Sequence, residues 1–168
     1  MPFDPVSQTK HLSPKLRLTV LNTLLTIGIP FNKGLGLRLF EFTEKKVVVK
    51  SLPKRRRRNH VGGAHACALA LLGEYPAGLL VAQQFPFSEY RIIIGELKVE
   101  YEKQGRGVLF SEVEAPDSWP TFDGQNDDLW ITLKTTIHNE SREVVARAET
   151  RWQIKPWSKV RSKKSAQS

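Results

Sequence analysis

The sequence predicts an α+β domain in which a curved antiparallel sheet wraps one long central helix, with an extra helix ahead of the sheet. Three observations carry this. Residues 62–80, GGAHACALALLGEYPAGLL, are apolar on nearly every side, and a helix of that kind has to be enclosed by the rest of the fold. Everything after it reads as long strands, several alternating apolar and polar with period two. Two shorter β runs stand before it, so the sheet has segments on both sides of the helix in sequence.

The elements follow in chain order. Ser13 is a capping residue type, Pro14 suits a first helical position and Gly28 can end a helix, so KLRLTVLNTLLTIG between them reads as helical. Pro30 and Gly34 then break the chain. LGLRLFEFT and VVVKSLP, separated by Glu44, Lys45 and Lys46, read as a hairpin. The apolar helix comes next, and Pro76 is expected to kink or stop it. YRIIIGELKVEYEK and GVLFSEVEA are strands joined through Gly105 and Gly107. SWPTFDGQNDD is a loop. LWITLKTTIHN puts Ile131, Leu133 and Ile137 on one face. EVVARAETRWQI puts Ala146, Ala148, Thr150 and Trp152 on one face and Arg147, Glu149 and Arg151 on the other. A sheet around one helix leaves edges to be covered, so a homodimer, or a tetramer of paired dimers, is expected.

Composition narrows the class. The chain has 168 residues, 40% of them hydrophobic and 26% charged, which fits one globular domain with a core of its own. Residues 1–12 read as an arm, 13–157 as the domain and 158–168 as a basic flexible tail. No apolar run reaches the length of a bilayer span, the start MPFDPVSQTKHL lacks the pattern of a secretion signal, and a single cysteine excludes an internal disulfide. A cytoplasmic protein is expected. The net charge is +9, which favours anionic partners. It concentrates in Lys54, Arg55, Arg56, Arg57 and Arg58, and in the tail residues Lys159, Arg161, Lys163 and Lys164, whose charge reads as solvation. His11, His60, His65 and His138 have no ligand spacing with other donors, so no metal is expected.

One residue breaks the apolar pattern: Glu74 stands alone inside the most helix-like segment. Upstream of it, NHVGGAH sets Asn59, Gly62 and His65 three residues apart, with Glu74 nine after His65 and Gly78 following. This arrangement resembles the hotdog fold, and within it acyl-CoA thioesterases of the phenylacetate-pathway type. In those, Asn and Gly precede a His-Gly-Gly sequence at the same spacings and an acidic residue follows nine positions after the His. The string looks closest to an uncharacterised thioesterase-like branch. The resemblance covers residues 35–154 and leaves the first helix outside. Ala66 and Cys67 replace the two glycines, and Gly63-Ala64 stand where Thr and an apolar residue are frequent.

The resemblance implies an acyl thioester hydrolase with a coenzyme A thioester, or an acyl carrier thioester, as substrate and no other cofactor. Glu74 would be general base or nucleophile, facing the helix start of a second subunit. The backbone N–H groups of Ala66 and Cys67, at a helix N-terminus, would hold the developing oxyanion. Asn59 would position water or thioester, and His65 would contact the carbonyl or hold the loop. Arg55, Arg56, Arg57 and Arg58 would meet the phosphates of coenzyme A. Each has an ordinary alternative: a solvent-reaching glutamate, a turn asparagine, a structural histidine, a solvated charge run. Cys67 reads as a small buried apolar residue rather than a reactive thiol. A non-catalytic acyl or acyl-CoA binder on the same scaffold is the competing function. Binding of nucleic acid through the basic clusters is a third, and no nucleic-acid-binding motif supports it. The Asp-x-Asn-Pro-x-His signature of hydratases on this fold is absent.

Overall fold

The computed structural model describes residues 3–122 and 126–160. Its elements run α1 (Pro5–Gln8), α2 (Pro14–Gly28), β1 (Leu37–Phe42), β2 (Lys46–Ser51), α3 (Ala66–Gln84), β3 (Tyr90–Tyr101), β4 (Leu109–Glu114), β5 (Leu129–Asn139) and β6 (Val144–Pro156). The six strands form one antiparallel sheet in the order β1-β2-β4-β5-β6-β3. The expected architecture is therefore present, with α3 in the hollow of the sheet and α2 ahead of β1. Arg161, Lys163 and Lys164, and residues 123–125 of the expected loop, lie outside the described residues.

The period-two readings hold. Ile131, Leu133 and Ile137 are buried, as are Ala146, Ala148, Thr150 and Trp152, while Arg147, Glu149 and Arg151 face outward. The inner faces close on Leu72, Leu80 and Val81 of α3, all essentially without exposure. Burying one such leucine stabilises the fold by roughly 2 kcal/mol. Small residues set how near the helix lies to the sheet: a Cβ on Gly73 would stand 2.3 Å from the Ala148 Cβ.

The central helix departs from expectation at both ends. It begins at Ala66 rather than at residue 62, because Gly62 takes φ +80° in a loop closed by Asn59. It ends at Gln84, eight residues past the proline expected to kink or stop it. Pro76 has no N–H to give the Leu72 carbonyl, and the buried Ser111 hydroxyl from β4 donates to that carbonyl instead. By length and apolar character α3 is also long enough to cross a bilayer, contrary to the expectation from the run of apolar residues alone. Here it is the core helix, with the sheet around it.

The two sheet edges differ. At β1, Asn22 of α2 accepts from the Leu39 N–H at 2.8 Å and donates to the Leu39 carbonyl at 3.1 Å, so its side-chain amide pairs the strand as a neighbouring backbone would. No strand or helix covers β3 in this way among the described residues. Its twelve residues leave Ile93, Leu97 and Tyr101 exposed.

Candidate active site

The loop of residues 59–65 is shaped by one side chain. The Asn59 Oδ1 accepts from the Gly63 N–H at 3.0 Å and the Val61 N–H at 3.2 Å. Its backbone N–H donates to the Gly63 carbonyl at 2.8 Å. Asn59 thus spends its acceptor on the loop. Outside supports come from the turn before β4. Ala64 N–H donates to the Gly105 carbonyl, Arg106 donates to the Val61 carbonyl at 3.2 Å, and the Gln104 side chain lies where a Cβ on Gly63 would fall. That packing explains why glycine occupies position 63.

His65 is the N-cap of α3. Its Nδ1 accepts from the Cys67 N–H at 3.1 Å, which assigns the ring proton to Nε2 and leaves an exposed N–H donor beside the helix tip. The cap uses up one of the two expected oxyanion donors. The other, the N–H of Ala66 at the first helical position, has no intrahelical acceptor. Ala66 is itself fixed from behind, its carbonyl accepting from the Tyr101 hydroxyl at 3.2 Å. Cys67 is exposed, contrary to the buried small residue expected, as are His65 and Ala66 beside it in the first turn.

The arginine run divides. Arg57 turns inward and is 2% exposed. It donates to the Ser51 hydroxyl at 2.8 Å, to the Ser51 carbonyl and to the Gly107 carbonyl. Burial, and then the neighbouring Arg58, lower its pKa. It ties β2 to the turn before β4 and is not free to meet a phosphate. Arg55, Arg56 and Arg58 are exposed.

Glu74 lies nine residues down α3 from His65, about 14 Å along the axis, so one chain does not bring the acid and the helix tip together. Its carboxylate is largely buried, and no hydrogen bond or ion pair reaches it among the described residues. Burial alone pushes its pKa from 4.5 to about 7. It forms part of the wall of a cavity of about 250 Å³, otherwise apolar and bounded by Leu25, Ile29, Leu79, Ile92 and Trp152. Gly78 makes room for the carboxylate: a Cβ there would stand 3.3 Å from the Glu74 Oε1 and 2.9 Å from the Trp152 ring. Tyr75 is the other titratable group on the wall. Burial pushes it up to about 12.

Sequence reasoning did not locate this cavity. Leu25 and Ile29 belong to the helix outside the resemblance, and Trp152 read only as an inward-facing strand residue. Among the described residues no group of three or more His, Cys, Asp and Glu is placed to hold a metal ion.

A curved sheet around a buried helix, carrying a lone acid on that helix and a capped loop at its start, is the hotdog fold. The chain belongs to the family described as Domain of unknown function (DUF4442), which matches residues 19–154. The fold is shared with solved structures. One is a Pseudomonas aeruginosa protein of unknown function described as a probable thioesterase (TM-score 0.70, 22% identity, covering 86% of this chain and 97% of that chain). A second is a thioesterase from Haemophilus influenzae (TM-score 0.71, 13% identity, 88% and 94%). A third is a variant of a thioesterase enzyme from Staphylococcus aureus (TM-score 0.65, 14% identity, 76% and 99%). At these identities the likeness is one of fold. No curated protein matches the chain.

Proposed function

We propose that this protein hydrolyses an acyl thioester, with each reaction centre built from two copies of the chain. The observation that carries the reading is Glu74, an unpaired carboxyl with a pKa of about 7 on the wall of an apolar cavity. A base poised near neutral pH is what proton abstraction from water requires. A largely buried acid with no structural partner costs stability that a core leucine would not.

In this reading the acyl tail lies in the cavity and Glu74 takes a proton from water. The water oxygen attacks the thioester carbonyl carbon, and the carbonyl π electrons move onto oxygen. The Ala66 N–H and the Nε2–H of His65 from the second copy receive that charge. Collapse re-forms the carbonyl and breaks the C–S bond. The proton held by Glu74 goes to the departing thiolate. Asn59 acts through the loop it shapes, as a positioning residue. Arg55, Arg56 and Arg58 are the surface cations available to the phosphates of a coenzyme A thioester.

The second copy is supported by the open edge at β3. With β1 met at Leu39 by Asn22 of α2, β3 is the longer and more open edge, and its exposed Ile93, Leu97 and Tyr101 suit burial against another copy.

Thiol release from a panel of acyl-CoA thioesters tests the reading. Wild type should turn over at least one of them, and Glu74→Gln should lose about a hundredfold or more in kcat while remaining dimeric. Equal rates in both proteins, or saturable binding with no turnover in wild type, would reject the hydrolase.

A further inference from the structure

Phe3, Pro5 and Val6, which lie ahead of the matched family region, form part of the wall of the cavity that Glu74 also lines. This segment is built in rather than draped. The Asp4 carboxylate accepts from the Ser7 N–H at 3.1 Å with one oxygen and from the Ser88 N–H at 3.2 Å with the other, joining the segment to the loop before β3. Arg17 of α2 donates to the Val6 carbonyl. The Phe3 ring lies flat against Gly28, where a Cβ would come within 2.3–2.9 Å of three ring atoms. Val6 is fully buried, whereas Phe3 keeps 46% of its surface in solvent. The Phe3 ring is therefore the outermost layer between the cavity and water.

We infer that this segment is a molecular ruler: it ends the acyl site, and Phe3 seated on Gly28 sets the longest acyl group accepted. The inference rests on the hydrolase reading for the identity of the ligand. The substrate class follows from size and chemistry. A buried apolar cavity of 150 Å³ holds benzene, so one of about 250 Å³ holds roughly ten carbons. Apart from Glu74 and Tyr75, the side chains on its wall are apolar or, for Trp152, already paired, its Nε1–H donating to Thr150. A charged tail would enter without a counter-ion, at a cost that excludes it. The acyl groups taken are uncharged, predominantly apolar and of medium length.

The test is the profile of kcat/KM over straight-chain acyl-CoA thioesters from about four to about sixteen carbons, each added or missing methylene in a fitted pocket being worth about tenfold or more. Wild type should peak at about eight to ten carbons. Phe3→Ala opens the wall to solvent and should move the peak to longer chains. Ile29→Trp fills the cavity from its partly exposed side and should move it to shorter ones. A wild-type peak at either extreme of the panel, or a profile that neither variant moves, overturns the ruler. If no thioester is cleaved, the hydrolase reading fails and the site is judged by binding. The non-hydrolysable thioether analogue of decanoyl-CoA should then raise the Tm of wild type and not of Ile29→Trp. No shift in wild type, or equal shifts in both, overturns it.

Discussion

The Ser111 hydroxyl donates to the carbonyl of Leu72, the helical acceptor that Pro76 leaves without its donor. Strand β4 thereby completes a hydrogen bond that α3 cannot make for itself. Pro76 sits in the first turn after Glu74, so the helix is bonded to the sheet at the level of the proposed base. The oxygen is buried, and a buried carbonyl with no partner costs about 1–3 kcal/mol.

Ser111→Ala should therefore lower stability by about that amount. Restoring the helical donor should reverse it: in the Ser111→Ala background, Pro76→Ala supplies an N–H to Leu72 and should recover most of the loss. Chemical denaturation of the two single variants and the double variant reads the coupling. Additive effects would show that the Ser111 bond does not stand in for the missing one.

Glu74 makes stability depend on pH in a known direction. Its folded pKa of about 7 lies above the ordinary 4.5, so the folded state holds the proton more tightly than the unfolded chain does. The resulting stability is fully present below pH 4.5 and is lost as pH rises through about 7, a difference of roughly 3 kcal/mol. Glu74→Gln should remove that dependence, so its Tm should exceed that of wild type more at pH 8 than at pH 5. Hydrolysis should run the other way and rise with pH through about 7 as the base ionises. A Tm difference independent of pH would mean that the carboxyl is solvated in solution.

Arg57 and its neighbours should separate cleanly. Arg57 is buried and bonds Ser51 and Gly107, so Arg57→Ala should cost about 3 kcal/mol whatever the substrate. Arg55→Glu with Arg56→Glu should leave the unfolding free energy within about 0.5 kcal/mol of wild type and raise KM for coenzyme A thioesters. That effect should shrink with added salt. A pair of glutamates that leaves KM unchanged would remove the phosphate role.

Much of this architecture was legible in the sequence because it rests on periodicity. The two-residue alternation of β5 and β6 and the all-round apolarity of α3 each state which surface must be buried. Glu74 stood out for the same reason, as the one charge where burial was required. What the sequence hid depends on partners far along the chain. Nothing local distinguishes Arg57 from Arg56, since the difference is a pair of acceptors at Ser51 and Gly107. Pro76 read as a helix breaker because its remedy, Ser111, lies on another strand. The cavity was invisible because residues 3–6 meet α2, α3 and the loop before β3 only in three dimensions.

The proposed site shared between two copies can be tested by complementation. Proline is well tolerated at a first helical position, and His65 ahead of it already has the extended backbone (φ −65°, ψ 144°) that a following proline requires. Ala66→Pro should therefore fold normally while deleting the one unengaged N–H at the helix tip, and kcat should fall about a hundredfold or more. Glu74→Gln is disabled at the other half of the site. When the two variants are unfolded together and refolded as a mixture, half of the dimers combine one chain of each kind. In those, the intact Glu74 of one chain faces the intact tip of the other at one of the two centres, and activity should return to about a quarter of wild type. Were acid and tip to act within one chain, every centre in the mixture would carry one lesion and no activity would return.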